Sequence, residues 1–370
     1  MSNKWMSKLT RDFGKLAADL PNPKDHIIKM PSPSLNWAVD NGGLVQGKSI
    51  CLFGPESGGK SLLMQLIMIQ IQKDDPEAIC ILFDTEFSFN RNWFEKLGGD
   101  LSRLLVKQTN DPLEIFDKIT VGGELHEMLE DGAPIKAIAI DSVKMIRYPK
   151  DIKTKTTDQS MGGGGASYLG SALKGVLPLI RQYNVTTLLV QQVYEEMDQY
   201  KKMNNPWIVP DGRALKHFCD YMLQVERIDS KAGRIEEGKN MVGGAQQVGH
   251  YIRIKGKKNR VGVPFRTAQL ALNYSVGIVN TVNELVDLAK SLDVLFHPVS
   301  KETGKINTQM WQFADYEPIR GDANMRTWVA GDEKVQKEIF ERCCQADDDK
   351  IEKRNNDMSM VNVDIDANDL

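Results

Sequence analysis

Between Ile50 and Asn273, short apolar runs alternate with longer stretches whose apolar residues recur at helical spacing. "SICLF" (49–53), "AICILFD" (78–84), "KAIAID" (136–141) and "TTLLVQQ" (186–192) are each nearly continuous in apolar residues and bounded by polar segments. Runs of this kind suit strands covered on both faces of a parallel sheet. "LLMQLIMIQIQ" (62–72) and "YLGSALKGVLPLIRQY" (168–183) read as helices. Strand and helix in alternation predict an α/β fold, doubly wound around a mainly parallel central sheet.

Two polar stretches interrupt this pattern. Residues 150–167 end in four glycines followed by Ala166 and Ser167, and residues 194–214 carry two prolines. Both follow the ends of predicted strands, and long irregular segments inside a compact domain are usually functional or mobile. At the start, Trp5, Leu9, Phe13, Leu16 and Leu20 recur at helical spacing until Pro21 and Pro23. This amphipathic helix packs either on its own domain or on a neighbouring subunit. "VNELVDLAKSLDVL" (282–295) predicts another helix. Asp347 to Leu370 holds eight acidic and three basic residues, which predicts a disordered acidic tail. The expected organisation is a helix and linker over 1–30, an α/β core over 31–280, a small α/β region over 281–345 and the tail over 346–370.

Composition adds few constraints. At 370 residues and 41% hydrophobic content, the chain can bury a sizeable core. A net charge of −3 does not announce a nucleic-acid binder, so any basic surface must be local. Cys51, Cys80, Cys219, Cys343 and Cys344 form no CxxC pair, which predicts reduced, intracellular thiols. No 18-residue apolar run and no charged-then-apolar leader occur, so a cytoplasmic protein with no membrane partner is expected.

The chemistry centres on "GPESGGKS": Gly54, Pro55, Glu56, Ser57, Gly58, Gly59, Lys60 and Ser61. It fits GxxxxGK[ST] between a predicted strand and a predicted helix. Glycines let backbone N–H groups converge on phosphate oxygens, and the helix aims its positive end at the same point. Lys60 would reach the β- and γ-phosphates of ATP, and Ser61 would ligate Mg²⁺. Asp141 ends an apolar strand, where a carboxylate can serve the metal side. Asp84 and Glu86 end another, and ATP hydrolysis needs a carboxylate to orient water. Gln191 and Gln192 end a third, where an amide can sense γ-phosphate. "YIRIKGKKNRVG" (251–262) concentrates five cations, either as a solvated face or as donors to phosphate.

In this order the segments resemble the RecA family of homologous-recombination ATPases. The resemblance rests on "MPSPSLNWAVDNGGLVQGKSICLFGPESGGKS", "FDTEF…NWFEKLGGD", "IAIDSV", "MGGGGASYLGSALKGVLPLIRQYNVTTLLVQQ", "GRALKHFCDYMLQVERI" and "KGKKNRVGVPFRTAQLALNYSVGI", covering about residues 30–280. The terse core and the acidic, divergent C-terminal part look most like the phage-encoded, UvsX-like branch.

The resemblance implies ATP and Mg²⁺ as cofactors and a set of roles. Glu86 would be the catalytic base, with Lys60 and Gln192 completing the catalytic group and Gln192 sensing γ-phosphate. Asp141 and Ser61 would serve the metal. Trp93 falls where the family stacks an aromatic on adenine; a buried core tryptophan is the other reading. Lys258 and Arg260 match two cations that reach ATP across a subunit interface, with arginine replacing a lysine at the second. A first DNA loop would span about Asp158 to Gly165, with Met161, Gly162 and Gly163 at the DNA. A second would span about Val193 to Gly212 and end in Gly212 and Arg213 at the phosphate backbone. His217 stands where bacterial members have phenylalanine, and Glu195, Glu196 and Asp198 would repel phosphate unless they face away.

The implied protein is a helical homo-oligomer on single-stranded DNA that pairs it with homologous double-stranded DNA, with single-strand-binding and loader proteins as further partners. It would work in a bacterial cell or a phage-infected host. Two alternatives share the core: a hexameric DNA helicase, and an ATP-binding recombination mediator without useful turnover. The short N-terminus and the tandem cations speak against the first. Lys60, Glu86, Asp141 and Gln192 occurring together speak against the second.

Overall fold

The computed structural model describes residues 26–40, 42–148, 165–204, 206–210, 212–239, 244–300 and 304–346. The expected helix over 1–20, the first-loop residues Met161, Gly162 and Gly163, and the acidic stretch from Asp347 lie outside them. A short antiparallel pair, β1 (Ile27–Ile28) and β2 (Leu44–Val45), flanks helix α1 (Pro33–Ala38). Strand β3 (Ser49–Gly54) and helix α2 (Lys60–Asp74) follow, then β4 (Ile79–Asp84), α3 (Arg91–Lys96) and β5 (Leu104–Gln108). Helices α4 (Pro112–Phe116) and α5 (Glu124–Glu130) lead to β6 (Ile135–Asp141), and α6 (Gly165–Gln182) leads to β7 (Thr186–Gln192).

The second polar stretch is not the irregular segment expected. It is a small hairpin of β8 (Tyr194–Glu195) and β9 (Trp207–Ile208), with helix α7 (Gln199–Asn204) between them. Tyr194 pairs with Ile208 and Glu195 with Trp207, and the Glu196 N–H donates to Pro206 O. Helix α8 (Gly212–Phe218) then feeds β10 (Tyr221–Arg227), β11 (Arg234–Lys239), β12 (Ala245–Asn259), β13 (Thr267–Asn273) and β14 (Gly277–Val279).

These strands build a ten-stranded sheet. The order β5-β4-β6-β7-β3-β10 is parallel throughout, and β12, β13 and β14 extend it antiparallel, with β11 on β12. The period-two geometry of a strand sorts side chains to two layers. In β3, Ile50 and Leu52 join the core around α2, whereas Cys51 and Phe53 join the core around α6. Helix α2 is apolar around its circumference and buries Leu63, Met64, Ile67, Met68 and Ile71. Helix α6 buries one stripe, Leu169, Leu173, Val176 and Ile180. Truncating one of these leucines to alanine costs about 2–5 kcal/mol.

Most of the basic run, 251–259, is the second half of β12. Ile252 and Ile254 point into the core and Arg253 and Lys257 into solvent, so the charge is one face of an alternating strand.

The C-terminal lobe has its own core. Helix α9 (Thr281–Ser291) stops earlier than its apolar pattern suggests, because Asp293 takes a left-handed conformation and the Val294 N–H turns back to Ala289 O. Leu295 instead starts β15 (Leu295–Phe296), which joins β16 (Met310–Phe313) and β17 (Ile319–Arg320). Helix α10 (Asp322–Ala330) and a helix over 333–346 complete the lobe. Glu284 of α9 fastens it to the core: its carboxylate accepts from Ser32 Oγ at 2.6 Å and the Ser34 N–H at 2.7 Å. Cys51, Cys80, Cys219 and Cys343 are buried free thiols, and Cys344 is partly exposed. Among the described residues no helix is long and apolar enough to cross a membrane.

Candidate nucleotide site

The carboxyl ends of the parallel strands gather the polar residues that the apolar runs end in. Register places Gly54 of β3 opposite Gln192 of β7, and Asp84 of β4 opposite Asp141 of β6. Ligands of open α/β sheets bind at this edge.

The loop from Gly54 to Ser61 needs its glycines. A Cβ on Gly54 would meet Val225 O at 2.1 Å, and one on Gly58 would meet the same oxygen at 3.0 Å. Gly59 opens α2 with φ +92°, in the left-handed region that favours glycine. Glu56 and Ser57 are exposed at the turn. Lys60 is buried and curls back so that Nζ donates to Pro55 O at 2.6 Å. Burial lowers its proton affinity, while the charges of Asp141, Glu86 and Glu56 oppose that shift.

Asp141 stands beside Ser61, which hydrogen-bonds its carboxylate. Burial pushes the Asp141 carboxyl up to about 6; the Ser61 bond pulls it down, and the Glu86 and Asp84 charges push it up again. A hydroxyl and a carboxylate in contact fit one side of a magnesium site completed by phosphate and water. Among the described residues no three His, Cys, Asp or Glu side chains cluster to hold a metal by themselves.

Asp84 and Glu86, neighbours in sequence, serve different ends. Asp84 is buried and accepts from the Ser88 and Phe89 N–H groups and from Gln108 Nε2, so it shapes the turn after β4. Half-buried Glu86 faces the site. Its Oε1 accepts from Ser142 Oγ at 2.6 Å and from Gln192 Nε2 at 2.9 Å. Gln192 Oε1 in turn accepts from Lys144 Nζ at 2.9 Å. Gln191 points the other way: it is fully buried and its Nε2 donates to Pro210 O, tying the far end of the hairpin to the sheet. Ser142 and Lys144 were not singled out from the sequence. Their only signal there is adjacency to the strand-ending Asp141.

Trp93 is not a core residue. It is 40% exposed and lines a cleft of about 200 Å³ together with Ser61, Gln65, Phe89, Asn90 and Asp141. Asn90 caps α3 by accepting from the Trp93 N–H at 3.1 Å, which places the indole at the cleft.

Lys258 and Arg260 do not join this cluster. Met222, opposite Lys258 on β10, pairs with Cys51 near the start of β3, so both cations stand at the end of the sheet away from their own phosphate loop. Lys258 Nζ donates to Cys219 O at 2.6 Å and to Lys216 O, capping the C-terminal carbonyls of α8. Burial, then the Arg260 charge, lowers its proton affinity. Gly212 and Arg213 begin that same helix, and exposed Arg213 and His217 line a groove between α6 and α8. In the hairpin, Glu196 accepts from the Asp198 N–H and Asp198 from the Tyr200 N–H, so these acids cap their own turn. Met197, Tyr200 and Met203, which the sequence did not mark, are each 86–88% exposed.

Fold and site together define an α/β protein with a P-loop core of the RecA-like type. The family model described as the RecA N-terminal domain matches residues 3–279. The chain belongs to the RecA family. It is 28% identical over 354 residues to Protein RecA of Mycoplasma mycoides subsp. mycoides, covering 92% of this chain and 93% of that one. Protein RecA of Thermus aquaticus is 28% identical over 294 residues, covering 78% and 80% of the two chains. Protein RecA of Mesoplasma florum is 27% identical over 294 residues, covering 78% and 81%.

Proposed function

We propose that this protein is an ATP-dependent DNA recombinase that forms a helical filament on single-stranded DNA and catalyses homologous pairing and strand exchange. The observation that carries this reading is the hydrogen bond from Gln192 to Glu86, because Gln192 ends β7 and β8 of the hairpin starts two residues later. A group positioned to sense γ-phosphate is thus continuous with a loop suited to DNA.

The phosphate loop and Lys60 bind the ATP phosphates, and Trp93 takes the adenine at the other end of the cleft. Ser61 and Asp141 would hold Mg²⁺, which would supply positive charge to offset that of the ATP phosphates. Glu86 orients and deprotonates the attacking water, helped by the Ser142 hydroxyl that holds its carboxylate. When γ-phosphate is present, Gln192 turns toward it and releases Glu86. The hairpin then takes its DNA-binding form, with Tyr200, Met197 and Met203 free to stack on bases and Arg213 at the backbone. Contacts of this kind explain binding without sequence preference.

Lys258 and Arg260 are too far round the sheet to serve their own chain, which favours donation to the ATP of a neighbouring subunit. ATP would then hold consecutive subunits together, and hydrolysis would loosen them. The N-terminal segment and the acidic tail would serve assembly and DNA competition. The acidic end and compact core favour the phage-encoded branch.

A joint-molecule assay tests the reading. Single-stranded DNA, homologous supercoiled duplex and protein should give D-loops with ATP and with a non-hydrolysable analogue, and none without nucleotide. No joint molecules under any condition would reject it.

A further inference from the structure

Lys144 sits in the one-turn helix Val143–Met145 that follows Asp141. Its Nζ donates to Gln192 Oε1 at 2.9 Å and lies 4.6 Å from the centre of the Tyr194 ring. Gln192 Nε2 donates to Glu86. A continuous run of contacts, Glu86–Gln192–Lys144–Tyr194, therefore leads from the hydrolytic carboxylate into the first strand of the hairpin.

A primary amide has an acceptor end and a donor end. With a cation on Oε1, Nε2 is the end that faces Glu86; without it, the amide can rotate about its broad terminal torsion. The ammonium on the tyrosine face is a cation–π contact, so the same charge holds the sensor and the loop. It also lies close enough to Lys60 to lower that group's proton affinity, which places it within the field of the phosphate loop.

We propose that Lys144 is a positioning residue that couples nucleotide state to the DNA-binding hairpin, orienting the Gln192 amide on one side and the Tyr194 ring on the other. This deepens the reading of Glu86 and Gln192 given above and rests on it. When γ-phosphate draws Gln192 away from Glu86, the ammonium follows Oε1 and the ring of Tyr194 is released or reset.

The test is a coupling factor: the dissociation constant for a fluorescent oligo-dT without nucleotide, divided by that with a non-hydrolysable ATP analogue. Lys144→Met and Tyr194→Leu should each lower the factor about tenfold, and the double variant should lower it no further than either alone. Lys144→Arg, which keeps a cation able to reach both groups, should hold it within about threefold of wild type. Affinity for the analogue itself should change less than the coupling factor. Circular dichroism melting confirms that each variant is folded. A wild-type factor in Lys144→Met, or additive losses in the double variant, overturns the role of Lys144 while leaving the recombinase reading intact. A wild-type protein whose DNA affinity ignores nucleotide overturns both.

Discussion

Gln192 Nε2 donates to Glu86 Oε1 across 2.9 Å, although the strands that carry them are separated in the sheet by β6. On the proposed reading, Glu86 is held by Gln192 in one state and freed for water in another. Glu86→Gln removes the proposed base while its carbonyl oxygen can still accept from the Ser142 hydroxyl and the Gln192 amide. ATP turnover should fall about 10²- to 10⁴-fold, with analogue affinity changing far less. Steady-state ATPase with and without DNA checks this, and equal rates for both proteins would sink the assignment.

Glycine substitutions separate a packed loop from a tolerant helix. Gly54→Ala drives a methyl to 2.1 Å from a backbone oxygen of Val225. It should cost about 1–3 kcal/mol and weaken nucleotide binding. Gly170, inside α6, has Ala214 Cβ at a comfortable 3.7 Å. Gly170→Ala should stabilise by about 0.4–1 kcal/mol. Denaturant midpoints of the two variants should move in opposite directions.

Tyr200 carries its ring 86% exposed on the hairpin. Tyr200→Ala should weaken single-stranded DNA binding by about 1–3 kcal/mol and leave nucleotide affinity unchanged. Fluorescence anisotropy with an oligonucleotide, at one fixed salt concentration, measures the first; unaltered DNA affinity would remove Tyr200 from the interface.

The placement of Lys258 and Arg260 predicts complementation. A Lys258→Ala/Arg260→Ala protein and a Glu86→Gln protein should each lack DNA-stimulated ATPase. Mixed in equal amounts before filament assembly, they should recover about a quarter of wild-type activity, because a head-to-tail interface between the two kinds has both halves intact in one orientation. A mixture as inactive as its parts would mean that the cations do not act across an interface.

Glu284 predicts a pH effect on stability. Burial raises its carboxyl above the ordinary 4.5, with the bonds from Ser32 and Ser34 opposing the shift. The folded protein thus binds the proton more tightly than the unfolded chain. Stability declines as pH rises from 4.5 through the raised value, and the penalty is fully present above it. Glu284→Gln keeps an acceptor for Ser32 and Ser34 but cannot ionise. Wild type should therefore gain on the variant as pH falls toward 4.5, and a melting-temperature difference that stays constant with pH would contradict this.

The sequence by itself determined the parallel core and the phosphate loop. Near-continuous apolar runs leave a strand no solvent face, and "TTLLVQQ" occupies the same limits, Thr186–Gln192, in the sheet. The octet from Gly54 to Ser61 is legible because its chemistry is local: the turn, the helix end and the lysine are covalently adjacent. The basic run left two readings open for the opposite reason. Its alternation belongs to a long antiparallel strand whose buried face appears only once β10 and β13 flank it. The hairpin after β7 was equally hidden, since two-residue strands leave no periodicity to read. The family resemblance pointed to Glu86 over Asp84, but only the tertiary structure showed that Asp84 shapes a turn while Glu86 faces the site. It also decided that Gln191 holds the hairpin's end while Gln192 meets Glu86, and that Lys144 stands between that amide and Tyr194. Adjacent residues on a strand point to opposite faces, so a side chain's partners depend on which strands lie beside it, and that order is set by the fold as a whole.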